Sequence, residues 1–118
     1  MWKPGHWSDV EALIGQAEET AYLDFKRELA RSGRELAKDL AAMTVDGGVL
    51  LYGVEEDATG NVASAIPKVS LKGQEERLRQ VANSSIHPAP SFEVVLLREE
   101  PTDPDGVIAV VVPPSPLA

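Results

Sequence analysis

A chain of 118 residues has room for one domain with a core of its own and needs no staples to hold it. With no cysteine at all, a disulfide framework and a thiolate zinc site are both excluded. The formal charge of −8 argues against indiscriminate affinity for nucleic acid, which depends on cations neutralising phosphates, and leaves room only for a local basic patch. No apolar run approaches the roughly 20 residues of a membrane span, and the start lacks a signal-peptide pattern. No membrane association and a cytoplasmic location are the expectations.

Met1 to Trp7 carries Trp2, Pro4, Gly5 and Trp7 and reads as an arm that packs by its aromatics. Ser8 and Glu11 form the S-x-x-E pattern of a capping box. Val10, Leu13, Ile14 and Ala17 then make the inner face of a short helix, which Gly15 weakens and which ends near Glu18. Tyr22 to Arg27 alternates as a strand does, with Leu23 and Phe25 on one face and Tyr22, Asp24 and Lys26 on the other. A helix follows over Arg34 to Thr44, its apolar stripe formed by Leu36, Leu40 and Met43.

The stretch from Asp39 to Asp57, DLAAMTVDGGVLLYGVEED, organises the rest. Gly47 and Gly48 end the helix, and Val49 to Val54 is an almost unbroken apolar run, as in a strand covered on both faces. Asp57 to Gly60 reads as a hairpin-type turn, and Asn61 to Ile66 as a short strand that Pro67 closes. Gln74 to Ser84 is a second good helix, with Leu78, Val81 and Ala82 inside and a favourable Glu75–Arg79 pair outside. Ile86 to Pro90 cannot be helical with its two prolines. Phe92 to Arg98 and Val107 to Val112 predict an antiparallel hairpin around an acidic loop.

The fold expected is α/β (α+β): a two-layer sandwich with a mixed sheet of about five to six strands and about two to three helices. The expected division is an arm and capping helix over 1–17, a domain over 18–113, and a proline-rich exit over 114–118 that leads toward a further region.

Chemistry could gather at one place. If the strand bearing Asp24 lies beside the central strand, Glu19, Asp24 and Glu56 converge at one edge. Such carboxylates suit Mg²⁺ or Mn²⁺, since hard cations prefer oxygen ligands, and Lys26 would then steady a scissile phosphate. Acids at strand ends and turns are, however, usually just solvated, and a lysine beside them is more often an ion-pair partner. His6 and His87 are isolated and make no metal site. The diglycine is a helix stop, with no phosphate-loop or dinucleotide fingerprint around it. No nucleophile elbow is present, and the tryptophans of the arm read as a packing or dimer contact.

E-T-A-Y-L-D-F-K, the helix ELAKDLAAM and the strand DGGVLLYGVEED, in that order, resemble the Schlafen AlbA-like (AlbA_2, divergent Alba) family. The later P-A-P-S-F-E-V-V and V-I-A-V-V-V-P-P-S-P match its closing strands. The resemblance covers nearly the whole chain from about Glu18 onward and implies a small α/β domain with a nucleic-acid-binding role, often part of a larger bacterial protein. In the animal Schlafen members a related site cleaves RNA with metal-bound carboxylates. Carried over by position, that site's acids are Glu19, Asp24 and Glu56, with Lys26 adjoining. Two positions depart from the pattern: Asp24 stands where the family usually has Glu, and Glu56 where it usually has Asp. Thr-Val also replaces the usual Asn-Thr before the diglycine. Schlafen nucleases use two such lobes, which implies a homodimer or a partner for one.

Three functional readings follow. The leading one is a nucleic-acid-binding, DNA-binding domain of a bacterial regulatory protein, with a basic patch of Lys26, Arg27, Arg31, Arg34 and Lys38. The alternatives are a metal-dependent ribonuclease and a protein-interaction or dimerisation module.

Overall fold

The computed structural model describes residues 2–114. In chain order the elements are α1 (Trp7–Glu11), β1 (Leu23–Lys26), α2 (Gly33–Ala41), β2 (Gly48–Tyr52), β3 (Glu55–Glu56), β4 (Ala63–Ala65), β5 (Val69–Ser70), α3 (Gln74–Ser85), β6 (Glu93–Leu97) and β7 (Asp105–Val112).

The run Val107 to Val112 consists of β-branched and small apolar residues, all buried, which suits a strand in the middle of a sheet. β7 pairs antiparallel with β2, from Val112 opposite Gly48 to Ile108 opposite Tyr52. It also pairs antiparallel with β6, from Val111 opposite Glu93 to Val107 opposite Leu97. β1 joins β2 in parallel, with Asp24 opposite Leu50 and Lys26 opposite Tyr52. The short β5 pairs with Gly106 and Asp105 at the start of β7, and β3 with β4 forms a separate two-stranded ribbon. The architecture is the mixed-sheet α+β fold that the order of patterns predicts.

Each face of the sheet has its own cover. Leu50, Tyr52, Ile108, Val110 and Val112 pack with Leu36, Leu40, Met43, Leu78 and Ala82, which come from α2, the turn after it, and α3. Val49, Leu51, Val107, Ala109 and Val111 pack with Phe25, Val10 and Ala63, and Trp7, Leu13, Ile14 and Ala17 lie against them. The amino-terminal segment therefore closes a sheet face rather than standing apart. No helix among the described residues is long and apolar enough to cross a membrane.

Three details differ from expectation. The first helix starts earlier and is shorter than Ser8 to Glu18. The Asp9 carboxylate, not Glu11, caps it, accepting the N–H groups of Gly5 at 2.8 Å and His6 at 2.9 Å. Gly15 then turns to φ +74 and donates its N–H to the Ala63 carbonyl at 2.7 Å, so the chain leaves the helical path to meet the ribbon. The central apolar run stops being a strand at Tyr52, because the N–H groups of Gly53 and Val54 both turn to the Lys26 carbonyl, at 2.8 and 3.2 Å. β5 is too short to show a period in sequence. The proline-rich exit lies outside the described residues beyond Pro114.

Gly48 has a second reason to be glycine besides ending a helix. It sits at φ +151, and a Cβ there would lie 2.8 Å from the Tyr22 carbonyl oxygen and 3.0 Å from Met43 Sδ. Gly60 has φ +81 but nothing within 4 Å. Gly48→Ala is therefore expected to cost ~3 kcal/mol and Gly60→Ala ~1 kcal/mol, measured as urea midpoints at constant m-value. Equal losses would show that crowding at Gly48 is relieved by backbone movement.

Candidate functional site

A tight turn brings the first acid into place. The Thr20 N–H donates to the Leu23 carbonyl at 3.0 Å, and the Tyr22 N–H to Thr20 Oγ1 at 3.0 Å. Glu19 is thereby folded back along the outer edge of β1, whose other edge is paired with β2. There its carboxylate accepts the Phe25 N–H at 2.9 Å, a side chain standing in for a missing strand. The Glu19 N–H donates to the Asn61 carbonyl at 2.6 Å, and the Asn61 N–H donates to Glu56 Oε2 at 3.1 Å. Ribbon and strand edge are thus tied together around Glu19.

Glu19, Asp24 and Glu56 do meet. The Glu19 carboxyl lies close to those of Asp24 and Glu56. Burial, then the contact with Asp24, then that with Glu56, push it up to about 8, although the Phe25 N–H favours the ionised form. At neutral pH the cluster therefore retains a proton, shared with its neighbours. The oxygen donors suit a hard divalent cation, but the arrangement does not. No group of three or more His, Cys, Asp or Glu among the described residues is placed to hold a metal ion.

Lys26 faces the same side of β1 as Asp24. Its Nζ lies 3.4 Å from Asp24 and 3.9 Å from Asp39 of α2. Burial by itself would lower its pKa, but the carboxylates of Asp24 and Asp39 outweigh it and hold it above the usual lysine value. Asp39 is raised by burial and by Asp24, against the opposing pull of Lys26. Asp39 is a member that the sequence reading left out. It had a signal, since it falls three residues after Leu36 and four before Met43, on the flank of the apolar stripe. Below this group the Tyr52 hydroxyl is buried without a hydrogen-bond partner. Burial, with Asp39 and Asp24 behind it, raises its pKa.

The five expected basic residues do not form one free patch. Lys26 is held by the two aspartates, Arg27 lies 3.0 Å from Glu55, and Lys38 lies 4.0 Å from Glu35. Arg31 and Arg34 are exposed and make no ion pair among the described residues. Arg77 of α3 joins them: its Nη2 donates to the carbonyls of Ala30 and, at 2.7 Å, Arg31. Arg34 and Lys38 line a groove of about 500 Å³ between α2 and α3. His6 and His87 are exposed and far apart in the chain. Trp7 packs on the sheet face covered by α1, whereas Trp2 is exposed and lines a small apolar hollow with Tyr22, Leu23 and Pro114.

The Glu19 proton has a stability consequence with a definite sign. Between the ordinary glutamate value of 4.5 and about 8, the unfolded chain has lost this proton and the folded chain keeps it, so stability falls as pH rises through that window. Glu19→Gln can donate to both neighbours and still accept from Phe25. It is expected to flatten the fall and to be more stable than the unsubstituted chain at pH 8, in thermal midpoints taken across the window. Parallel curves would show that the carboxyl cluster is ionised throughout.

No curated protein matches this chain. The family described as Schlafen, AlbA_2 matches residues 19–118, beginning at Glu19 itself and taking in both Asp24 and Glu56, and the chain belongs to that family.

Proposed function

We propose that the chain is a nucleic-acid-binding domain of a cytoplasmic regulatory protein, one that holds its ligand without cutting it. The observation that carries this reading is the set of cations Arg31, Arg34 and Arg77 on the loop after β1 and on α2 and α3, with Arg77 bonded to the Arg31 carbonyl. None of the three has an acidic partner among the described residues. On a chain of charge −8, such a place is where a polyanion is accepted while the acidic remainder repels it, which gives the encounter a direction. Family membership supports the same class of ligand.

A ribonuclease is the second reading, favoured by the meeting of Glu19, Asp24 and Glu56. Against it, no group of three or more His, Cys, Asp or Glu among the described residues is placed to hold a metal ion. A homodimer is proposed on different grounds: Trp2, Tyr22 and Val45 are 42%, 55% and 58% exposed, unusual for large apolar side chains. Light scattering on Trp2→Ser/Tyr22→Ser is expected to give a smaller mass than the unsubstituted chain at equal concentration; identical masses would remove this surface from consideration.

Titrating labelled tRNA and single-stranded DNA at low salt, once with Mn²⁺ and once with chelator, is expected to show retarded mobility and no shortened product. Arg31→Glu/Arg34→Glu is expected to weaken binding by ~100-fold, through the loss of cationic contacts to phosphate. Binding unaffected by the double reversal would overturn the reading. Cleavage that needs Mn²⁺ and disappears in Glu19→Ala would put the nuclease in its place.

A further inference from the structure

We propose that the cleft between the end of β1, the approach to β5 and the first turns of α3 is a phosphate subsite that seats a phosphodiester of the bound strand; this rests on the nucleic-acid reading above. The cleft has a volume of about 430 Å³, and Arg27, Glu28, Lys68, Ser70, Gln74 and Arg77 are among the residues that line it. Three cations converge on it from three separate parts of the fold, with a hydroxyl and an amide beside them and one acid, Glu28, at its margin.

Arg77 is pre-set for such a ligand. Only its Nη2 is engaged, by the Ala30 and Arg31 carbonyls, so the guanidinium is fixed in place by neutral acceptors and keeps its whole charge. Its Nη1 and Nε have no acceptor among the described residues, so each is open to one oxygen of an anion on its own side of the guanidinium.

Lys68 carries the second observation. Its backbone lies at φ +68, a region that L side chains rarely occupy. Residues held there cluster at ligand-binding positions, where the surrounding structure over-determines them. Here the Lys68 N–H donates to the Gly53 carbonyl at 3.2 Å, fixing the turn. The ammonium lies 3.0 Å from Glu99 and 5.3 Å from the centre of the Trp7 ring. Arg27 is likewise met by Glu55 at 3.0 Å. Both carboxylates lie at the solvent side, where such pairs contribute little, and a phosphodiester can take their place. Arg27 directly follows Lys26, and Glu55 directly precedes Glu56, so the subsite borders the carboxyl cluster along two strands. Phosphate contacts of this kind set the position of a strand and carry no sequence preference.

The test is fluorescence anisotropy of the full chain with short labelled single strands of RNA and of DNA, in chelator, over a salt series. Lys68→Gly removes the cation and suits a positive φ, so its thermal midpoint is expected to hold or rise. Its affinity is expected to fall ~5-fold, with the salt slope reduced by ~0.7 for the lost phosphate contact. Arg27→Gln is expected to do the same, and Glu99→Gln, which frees Lys68, to tighten binding ~2-fold. Equal effects on both strands identify the shared phosphodiester as the ligand; effects on one alone assign the subsite to that strand. If the unsubstituted chain binds and these variants match it in affinity and slope, the subsite is overturned while the nucleic-acid reading stands. If the unsubstituted chain binds neither strand at low salt, both fall together.

Discussion

The backbone pairing of β7 along both of its edges is the constraint on which the rest of the molecule depends. Residues 106–112 are all buried, so every N–H and carbonyl in that run must find a partner in the sheet. β2 and β6 supply them. Once β2 is fixed in that register its side chains have only two directions, and each direction is filled by a separate apolar cluster. β1 is then the last strand on its side, and its outer edge is where backbone groups remain to be satisfied.

That leftover edge explains why acids gather where they do. The Phe25 N–H needs an acceptor, and the Glu19 carboxylate provides it at 2.9 Å. This places one carboxyl against the strand. Asp24 then faces it from β1 itself, and Glu56 from the ribbon. The resulting repulsion is relieved partly by a retained proton and partly by Lys26, which sits between Asp24 and Asp39. A structural task and a cluster of high chemical potential are thus performed by the same side chain, and the electrostatics of the cluster cannot be changed without touching the edge of the sheet.

Most of the fold was legible because its long elements have clear periods. Leu36, Leu40 and Met43 give a helix, and Val107 to Val112 a buried strand. The meeting of Glu19, Asp24 and Glu56 was legible as a consequence of placing β1 beside β2. Other features were not. The sequence offers Ser8 with Glu11 as the cap, and only the three-dimensional position of Gly5 and His6 shows that Asp9 serves instead. The expected basic patch was counted along the chain, whereas charge is cancelled in space: Glu55 neutralises Arg27 from twenty-eight positions away. Arg77 joined Arg31 across forty-six positions, a contact to backbone carbonyls that no pattern of side chains announces. Lys68 owes its place to a backbone conformation that its residue type does not suggest.

The seam between the amino-terminal segment and the ribbon has a consequence for where this domain begins. The family match starts at residue 19, yet Val10 is wholly buried, and Trp7, Leu13, Ile14 and Ala17 lie on the same sheet face. The Ala17 carbonyl accepts the Ala63 N–H at 3.0 Å, and Gly15 donates back to Ala63. The span of the family match and the unit that folds are therefore bounded differently. A version cut at residue 19 would lay bare Phe25, Val49, Leu51 and Ala109 as a continuous oily surface and remove both bonds between Ala63 and the segment before it, so residues 7–17 act as a lid on that sheet face.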